Sequence, residues 1–215
     1  MTVFSPGQFV AEALSGHNDV SRAEPLDDRV VEVHRKREPS FIVGVVSAAL
    51  IVRATIGELA DDNRIEFICN IPREAAWTGE AIGLVHQRRI AFGGIGDLFA
   101  ATGRKSPVRD FVRSEFEFIE RIFDQHSAVA QVERVYDRVY RLHRLALPPV
   151  TVALINEYDL TADHIRTAWK RYGPFTDVLA NNPNCRCTAE AYEAAKQLKA
   201  KLLPLRQFMG RLNSR

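Results

Sequence analysis

The sequence contains little cysteine and no apolar run long enough to span a membrane. Its only cysteines are Cys69, Cys185 and Cys187, an odd number without the spacing of a disulfide framework. The strongest apolar run covers residues 41–52, whereas a membrane-spanning helix needs about 20 apolar residues. Residues 1–14 lack the basic and apolar segments of a secretory signal. We therefore expect a cytoplasmic protein that makes no membrane contact.

The chain also lacks a strong net charge. Its 29 basic and 27 acidic residues give a net charge of +2 at pH 7, so no strong overall field would attract DNA or an anionic membrane. Of the basic residues, however, 23 are arginine and 6 are lysine. Arginine is suited to bidentate contacts with phosphate, which favours phosphate recognition, while a genome rich in arginine codons would produce the same bias. Composition leaves these two explanations open.

The apolar pattern predicts an α/β fold with a mostly parallel sheet flanked by helices. Runs of β-branched and apolar residues bounded by turn residues indicate strands, and they fall at residues 29–34, 41–46, 65–72, 150–155 and 175–180. Segments of helical spacing separate several of them, as expected for crossover connections between parallel strands.

A long helical hairpin is predicted at residues 107–146. Apolar side chains recur there every three or four residues, and Pro148 and Pro149 end the pattern. We expect residues 1–28 to form an N-terminal arm and residues 29–215 to form a single domain, because no linker-like segment interrupts them.

Asparagines follow three of the predicted strands. Asn70, Asn156 and Asn181 each come at or just after the end of an apolar segment. The carboxyl ends of parallel strands meet at one edge of a sheet, where α/β folds bind ligands. Since asparagine is also a common turn residue, turn formation is the alternative explanation. The hypothesis of a shared binding site depends on these strands lying side by side.

A glycine-rich loop, residues 92–98, ends in Asp97. It departs from the dinucleotide-binding pattern because Phe99 stands where the third glycine belongs, and from the phosphate-binding P-loop because Arg104 replaces its lysine. Glycine lets a backbone approach a ligand closely, so the loop is either a ligand contact or a plain tight turn.

Together with Glu80, this loop resembles restriction-endonuclease-like proteins of the PD-(D/E)xK type. In that family a helix Glu and an Asp after a glycine-rich stretch precede an acidic strand motif ending in Lys. The resemblance implies that Glu80 and Asp97 are catalytic and that Asp97 binds Mg²⁺, which would activate water. The only candidate for the third motif is the segment at residues 115–117, which has Glu where Lys belongs. The tail from Thr176 is similar to the strand, helix, strand and helix that close Mrr-type members.

Three arginines are predicted to lie on one helix face. Arg134, Arg138 and Arg141 recur at intervals of three or four residues, which would form a stripe able to follow phosphates. Nearby Glu133 and Asp137 allow the alternative of internal ion pairs on a solvated surface.

These patterns favour a nucleic-acid-associated α/β protein that binds DNA or RNA, either a metal-dependent nuclease or a degenerate relative of one. Two alternatives stay open. One is a non-enzymatic protein that forms a homo-oligomer or binds a protein partner through the predicted helices 107–145, and the other is an enzyme for a nucleotide or small molecule. The sequence leaves open whether the protein is an enzyme. It also leaves open whether Cys185 and Cys187 bind metal.

Overall fold

The computed structural model describes residues 5–214. Their contacts divide the chain into two compact units, of which the first ends at Ser114 and the second begins at Glu115. The sequence predicts one domain over residues 29–215, whereas the boundary between the units lies within that range. Each unit has a sheet and a hydrophobic core of its own.

The first unit alternates helices and strands. In chain order its elements are α1 (Pro6–Ser15), β1 (Val20–Pro25), β2 (Val30–Arg35), β3 (Phe41–Val46), β4 (Leu50–Ile51), α2 (Arg53–Asp61), β5 (Ile65–Asn70), β6 (Ala76–Trp77), α3 (Gly79–Gln87), β7 (Ala91–Gly94), α4 (Ile95–Thr102) and a short 3-10 helix (Val108–Asp110). Residues 1–4 of the predicted N-terminal arm lie outside the described residues. The rest of that arm supplies α1 and β1, and β1 is a strand of the sheet.

The main sheet of the first unit is mixed. Its strand order is β1-β2-β3-β5-β7, with antiparallel pairs from β1 to β3 and parallel pairs from β3 to β7. Short turns join β1, β2 and β3, which forces antiparallel pairing, whereas the helical crossovers after β3 and β5 produce parallel pairing. The small strands β4 and β6 form a separate parallel pair.

Helices cover both faces of this sheet. One core contains Val43 and Val45 of β3 together with Leu14 of α1 and Leu98 of α4. A second core contains Val46 of β3 together with apolar residues of α2 and α3. Alternate residues of a strand point to opposite faces, so a continuously apolar strand such as β3 is buried on both sides.

The second unit has the same order of α-helices and strands. They are α5 (Ser114–Asp124), β8 (Val129–Tyr136), β9 (Val139–Arg144), β10 (Val150–Ile155), β11 (Asp159–Leu160), α6 (Ala162–Tyr172), β12 (Asp177–Ala180), β13 (Arg186–Cys187), α7 (Ala189–Gln197), β14 (Lys201–Pro204) and α8 (Leu205–Leu212). Its main sheet has the order β8-β9-β10-β12-β14, antiparallel up to β10 and parallel after it. The two units therefore share one topology.

Residues with the same role in the two units recur 109 positions apart over the first half of each unit. Identical residues at this spacing include His17 and His126, Arg29 and Arg138, His34 and His143, Arg35 and Arg144, and Pro39 and Pro148. Backbone features recur as well, since Arg89 and Lys199 both have positive φ, at 55° and 57°. We conclude that the chain is an internal duplication of one α/β unit.

The two units differ in the chemical character of one buried position. Phe67 is fully buried in β5, and the corresponding residue at the start of β12 is Asp177, which is also fully buried. Arg211 of α8 lies beside it, with 3.5 Å between Arg211 Nε and Asp177 Oδ1. The second unit therefore buries a charged pair where the first unit buries an aromatic ring.

The prediction of a mostly parallel sheet is wrong. Each five-stranded sheet contains two antiparallel pairs, because the turn at residues 36–40 and its counterpart at residues 145–149 join adjacent strands. The strands predicted at residues 150–155 and 175–180 do pair in parallel. The strand predicted at residues 65–72 lies in the other sheet.

The predicted long helical hairpin at residues 107–146 is also wrong. Only α5 is an α-helix there, and residues 129–144 form the antiparallel hairpin β8-β9. That segment is rich in valine and tyrosine, which favour strands, and β9 is held in the sheet by pairing with β10. The spacing of apolar residues in this segment therefore does not distinguish a helix from a strand. Within residues 5–214, no helix combines the length and apolar character needed to cross a membrane.

Candidate functional site

Asp97 lies in the first turn of helix α4, and both of its carboxylate oxygens have partners within the protein. Its Oδ2 accepts the Gly94 N–H at 3.0 Å, which satisfies a free donor at the helix start. Arg113 binds the same carboxylate with two nitrogens, Nε at Oδ1 and Nη2 at Oδ2, the latter at 2.9 Å. Only 8% of Asp97 is exposed. The carboxylate acts here as a helix cap and an ion-pair partner.

Glu80 lies on another helix. It occupies the exposed first turn of α3, after the capping residue Thr78. Among residues 5–214, no group of three or more His, Cys, Asp and Glu side chains is placed to hold a metal ion. The described residues thus bring no ligand set for Mg²⁺ together at Asp97.

The three predicted asparagines do not share one edge. Asn70 lies in the first unit, is 2% exposed, and ties two loop segments together by accepting the Ala48 N–H at 3.4 Å and donating to the Pro72 carbonyl at 3.0 Å. Asn156 and Asn181 lie in the second unit, after the adjacent strands β10 and β12. Turn stabilisation accounts for Asn70.

Asn156 and Asn181 converge on Glu115, in the first turn of α5. Asn181 Nδ2 donates to Glu115 Oε1 at 2.7 Å, Arg138 Nη1 binds the same oxygen at 3.0 Å, and the Asn156 side chain bonds to Glu115 as well. Burial by itself raises the pKa of Glu115, but Arg138 and the two amides outweigh burial and lower the pKa below its ordinary value. This cluster holds an ionised carboxylate in place.

The predicted arginine stripe is a set of ion pairs on the β8-β9 hairpin. Arg134 Nη1 binds Glu120 at 3.0 Å, and the guanidinium stacks 4.5 Å from the centre of the Phe116 ring. Arg141 pairs with Glu133 at 3.6 Å. Together with the pairing of Arg138 and Glu115, these contacts neutralise all three arginines predicted to bind phosphate.

Two loops of the first unit form a basic patch that sequence reasoning missed. Arg35 donates from Nη1 to the Arg104 carbonyl at 2.9 Å, so the turn after β2 lies beside the loop after α4. These loops carry four exposed cationic residues. They are Lys36, Arg37, Arg104 and Lys105, which we call the basic cluster.

A shallow cleft adjoins the basic cluster. It is lined by Ala13, Gly16, His17, Asn18, Asp19 and Phe99. Lys36 Nζ donates to the Asn18 carbonyl at 2.7 Å, which places the ammonium group at its border. The rings of His17 and Phe99 lie 5.4 Å apart between centroids. The cleft therefore combines an aromatic surface with the Asp19 carboxylate and a neighbouring positive charge.

The second unit lacks these charges at the same turn. After Arg144, which corresponds to Arg35, come Leu145 and Ala146 in place of Lys36 and Arg37, and Leu145 is 71% exposed. The sequence signals were the basic run at residues 35–37 and the basic pair Arg104 and Lys105. Nothing in the sequence of either segment indicates that the two meet in the fold. Comparison with family models, with curated proteins and with solved structures finds no match to this chain.

Proposed function

We propose that the protein associates with nucleic acid by binding phosphates at the basic cluster. The observation that supports this most directly is the contact between Arg35 and the Arg104 carbonyl, because it brings cations from two distant segments into one patch. Phosphate contacts supply most of the affinity of non-specific nucleic-acid binding. The adjoining cleft with His17 and Phe99 would receive a base, since aromatic rings stack on bases of any sequence.

We propose association without metal-dependent cleavage at Asp97. Two contacts support this view: the pairing of Asp97 with Arg113 and its cap of the Gly94 N–H. A restriction-endonuclease-like ancestry remains part of the proposal, supported by the order strand, helix, strand and helix after Thr176. We also propose a cytoplasmic location, which the odd number of cysteines without a disulfide framework supports.

The test is fluorescence anisotropy with labelled single-stranded DNA, duplex DNA and RNA between 50 and 200 mM salt. Neutralising four phosphates of duplex DNA gives a slope of log K against log salt of about −3.6. The double variant Arg37→Gln with Lys105→Gln removes two exposed cations and should reduce that slope by about two. Absence of binding at 50 mM salt to all three probes would overturn the proposal.

The matched control removes two exposed lysines of the second unit. Lys196→Gln with Lys199→Gln makes the same change in net charge outside the basic cluster, and we expect it to leave the salt slope unchanged. An equal loss in both double variants would mean that net charge, rather than the basic cluster, drives binding. A ligand that binds only the folded state raises the thermal midpoint. Because we propose no metal site at Asp97, we expect Mg²⁺ to leave the midpoint unchanged.

A further inference from the structure

Two of the three cysteines lie within reach of each other. Cys185 Sγ and Cys187 Sγ are 3.7 Å apart, and both side chains are partly exposed, whereas Cys69 is buried. The intervening residue, Arg186, points its guanidinium at the Tyr158 ring, 5.4 Å from the ring centre. The two thiols therefore face each other at a surface that reagents can reach.

The backbone on both sides of the pair is fixed. The Cys185 N–H donates to the Asn182 carbonyl at 3.0 Å, which closes a turn before the first thiol. Strand β13 pairs in parallel with β11, with Leu160 opposite Cys187. After the second thiol, the Thr188 N–H donates to the Leu160 carbonyl at 3.0 Å. These contacts fix the backbone that carries the two thiols.

The thiol pair is particular to the second unit. The corresponding residues of the first unit are Ala75 and Trp77, and Trp77 is buried at 3% exposure against Phe92. The shared fold thus places no thiol at these positions. Neither the core of the unit nor its strand pairing accounts for two cysteines here.

We propose that Cys185 and Cys187 are a redox-modification site, which forms a reversible intramolecular disulfide. Two Cα atoms separated by one residue lie at most about 7.6 Å apart and usually less, which overlaps the 4.4–6.8 Å range of disulfides. Because the sulfur atoms already face each other, rotation of the side chains is the main change required. The oxidant we consider is a small disulfide such as oxidised glutathione.

The reaction is a pair of thiol-disulfide exchanges. The Cys187 thiolate attacks one sulfur of oxidised glutathione, forms a mixed disulfide and expels one glutathione thiolate. The Cys185 thiolate then attacks the Cys187 sulfur and expels the second glutathione. Two protons leave the protein thiols, and their two electrons reduce oxidised glutathione to two molecules of glutathione. Burial and the neighbouring Cys187 thiol raise the pKa of Cys185 to about 11, so the reaction should accelerate with rising pH, since the thiolate is the nucleophile.

The sequence allows a direct assay. Arg186 lies between the two cysteines, so trypsin separates residues 172–186 from residues 187–196, and only a disulfide keeps these peptides joined. After treatment of the full chain with oxidised glutathione at pH 8.5, we expect the joined peptide by mass spectrometry, lighter by two hydrogen atoms than the sum of its parts. Free thiols titrated in denaturant should fall from three to one, and dithiothreitol should restore three.

Single variants provide the controls. Cys69→Ser should still lose two thiols, while Cys185→Ser and Cys187→Ser should yield no joined peptide and at most a glutathione adduct. Circular dichroism of each variant shows whether it is folded. Three outcomes overturn the proposal: no loss of thiols in the folded protein, disulfide-linked dimers on a non-reducing gel, or stable glutathione adducts on both cysteines without ring closure.

Discussion

Arg35 and Arg144 make the same hydrogen bond in the two units: the Nε–H of each donates to the carbonyl of the proline four residues later, at 2.9 Å for Pro39 and 2.7 Å for Pro148. Their Nη1 groups reach the end of the last α-helix of the unit, where Arg35 binds the Arg104 carbonyl at 2.9 Å and Arg144 binds the Ser214 carbonyl at 2.8 Å. One arginine therefore joins the turn after the second strand to the end of the last α-helix in each unit.

Removing this arginine should destabilise its unit. We expect Arg35→Ala to lower the free energy of unfolding by about 1–3 kcal/mol, because several backbone carbonyls lose their donor. Arg35→Lys should recover only part of the loss, since lysine lacks the planar fork. Urea unfolding measures the effect, with the exposed Arg37→Ala as a control expected within about 0.5 kcal/mol of wild type. Equal effects of Arg35→Ala and Arg37→Ala would contradict the structural role of Arg35.

Gly93 is constrained by both its backbone and Asp97. Its φ is +154°, and an added Cβ would lie 2.4 Å from Asp97 Oδ2. We expect Gly93→Ala to destabilise the protein by about 1–3 kcal/mol. Gly96→Ala, three residues later, meets no atom within 4 Å and lies in a helix, so it should be neutral or stabilise by up to about 1 kcal/mol. Thermal unfolding of the two variants side by side measures the difference in stability between them. Similar midpoints for both variants would contradict the prediction.

Glu115 should make stability depend on acid pH. Because Arg138 and the two asparagines lower its pKa, its contribution is complete above the pKa of the unfolded chain and is lost as pH falls through the folded pKa. We expect Glu115→Gln to cost about 1–2 kcal/mol at pH 7 and progressively less toward pH 3. Urea unfolding at several pH values measures this. The exposed Glu117→Gln on the same helix is the control, and a pH-independent cost of Glu115→Gln would exclude an ionic role.

Asp177 should act in the opposite direction. Burial raises its pKa, although Thr176 and Arg211 oppose the shift. A raised pKa means that stability is complete below the unfolded pKa and is lost as pH rises through the folded pKa. The stability of wild type relative to Asp177→Asn should therefore fall as pH rises from 3 to 7, measured by the same urea titrations. A difference that grows in favour of wild type would show that Arg211 compensates the buried charge fully.

The first unit suggests a second test of the buried pair. Phe67 and Ala101 stand where the second unit has Asp177 and Arg211, and both are buried. Replacing a buried ion pair by apolar residues is often neutral or stabilises by about 1–4 kcal/mol, while breaking one partner costs more. We expect Asp177→Leu with Arg211→Ala to be at least as stable as wild type, and Arg211→Ala alone to be less stable.

Local pattern predicted individual elements well where one local preference dominated. The segment that ends at Asn70 and the segment at residues 150–155 form the strands β5 and β10. Both are mostly apolar and contain β-branched residues, which favours a buried strand. Local pattern failed at residues 129–144, where apolar residues at helical spacing lie in a hairpin. Pairing with β10 determined that outcome, and pairing is not a local property.

For the candidate site, the sequence indicates which residues are of interest better than it indicates which residues they contact. The sequence predicts Arg138 and Asn181 as binding residues, but it gives no sign that both contact Glu115. The basic cluster was missed because its halves are almost 70 residues apart in the chain, and only the fold brings them together.

The sequence alone determined that this chain buries apolar strands and helices in an α/β fold, since alternation and run length depend only on neighbouring residues. The tertiary structure decided that these elements form two copies of one unit, that the arginines of the β8-β9 hairpin are neutralised, and that cations from distant loops meet. The physical reason is that ion pairing and strand pairing depend on distances in space, and distances between remote residues exist only once the chain has folded.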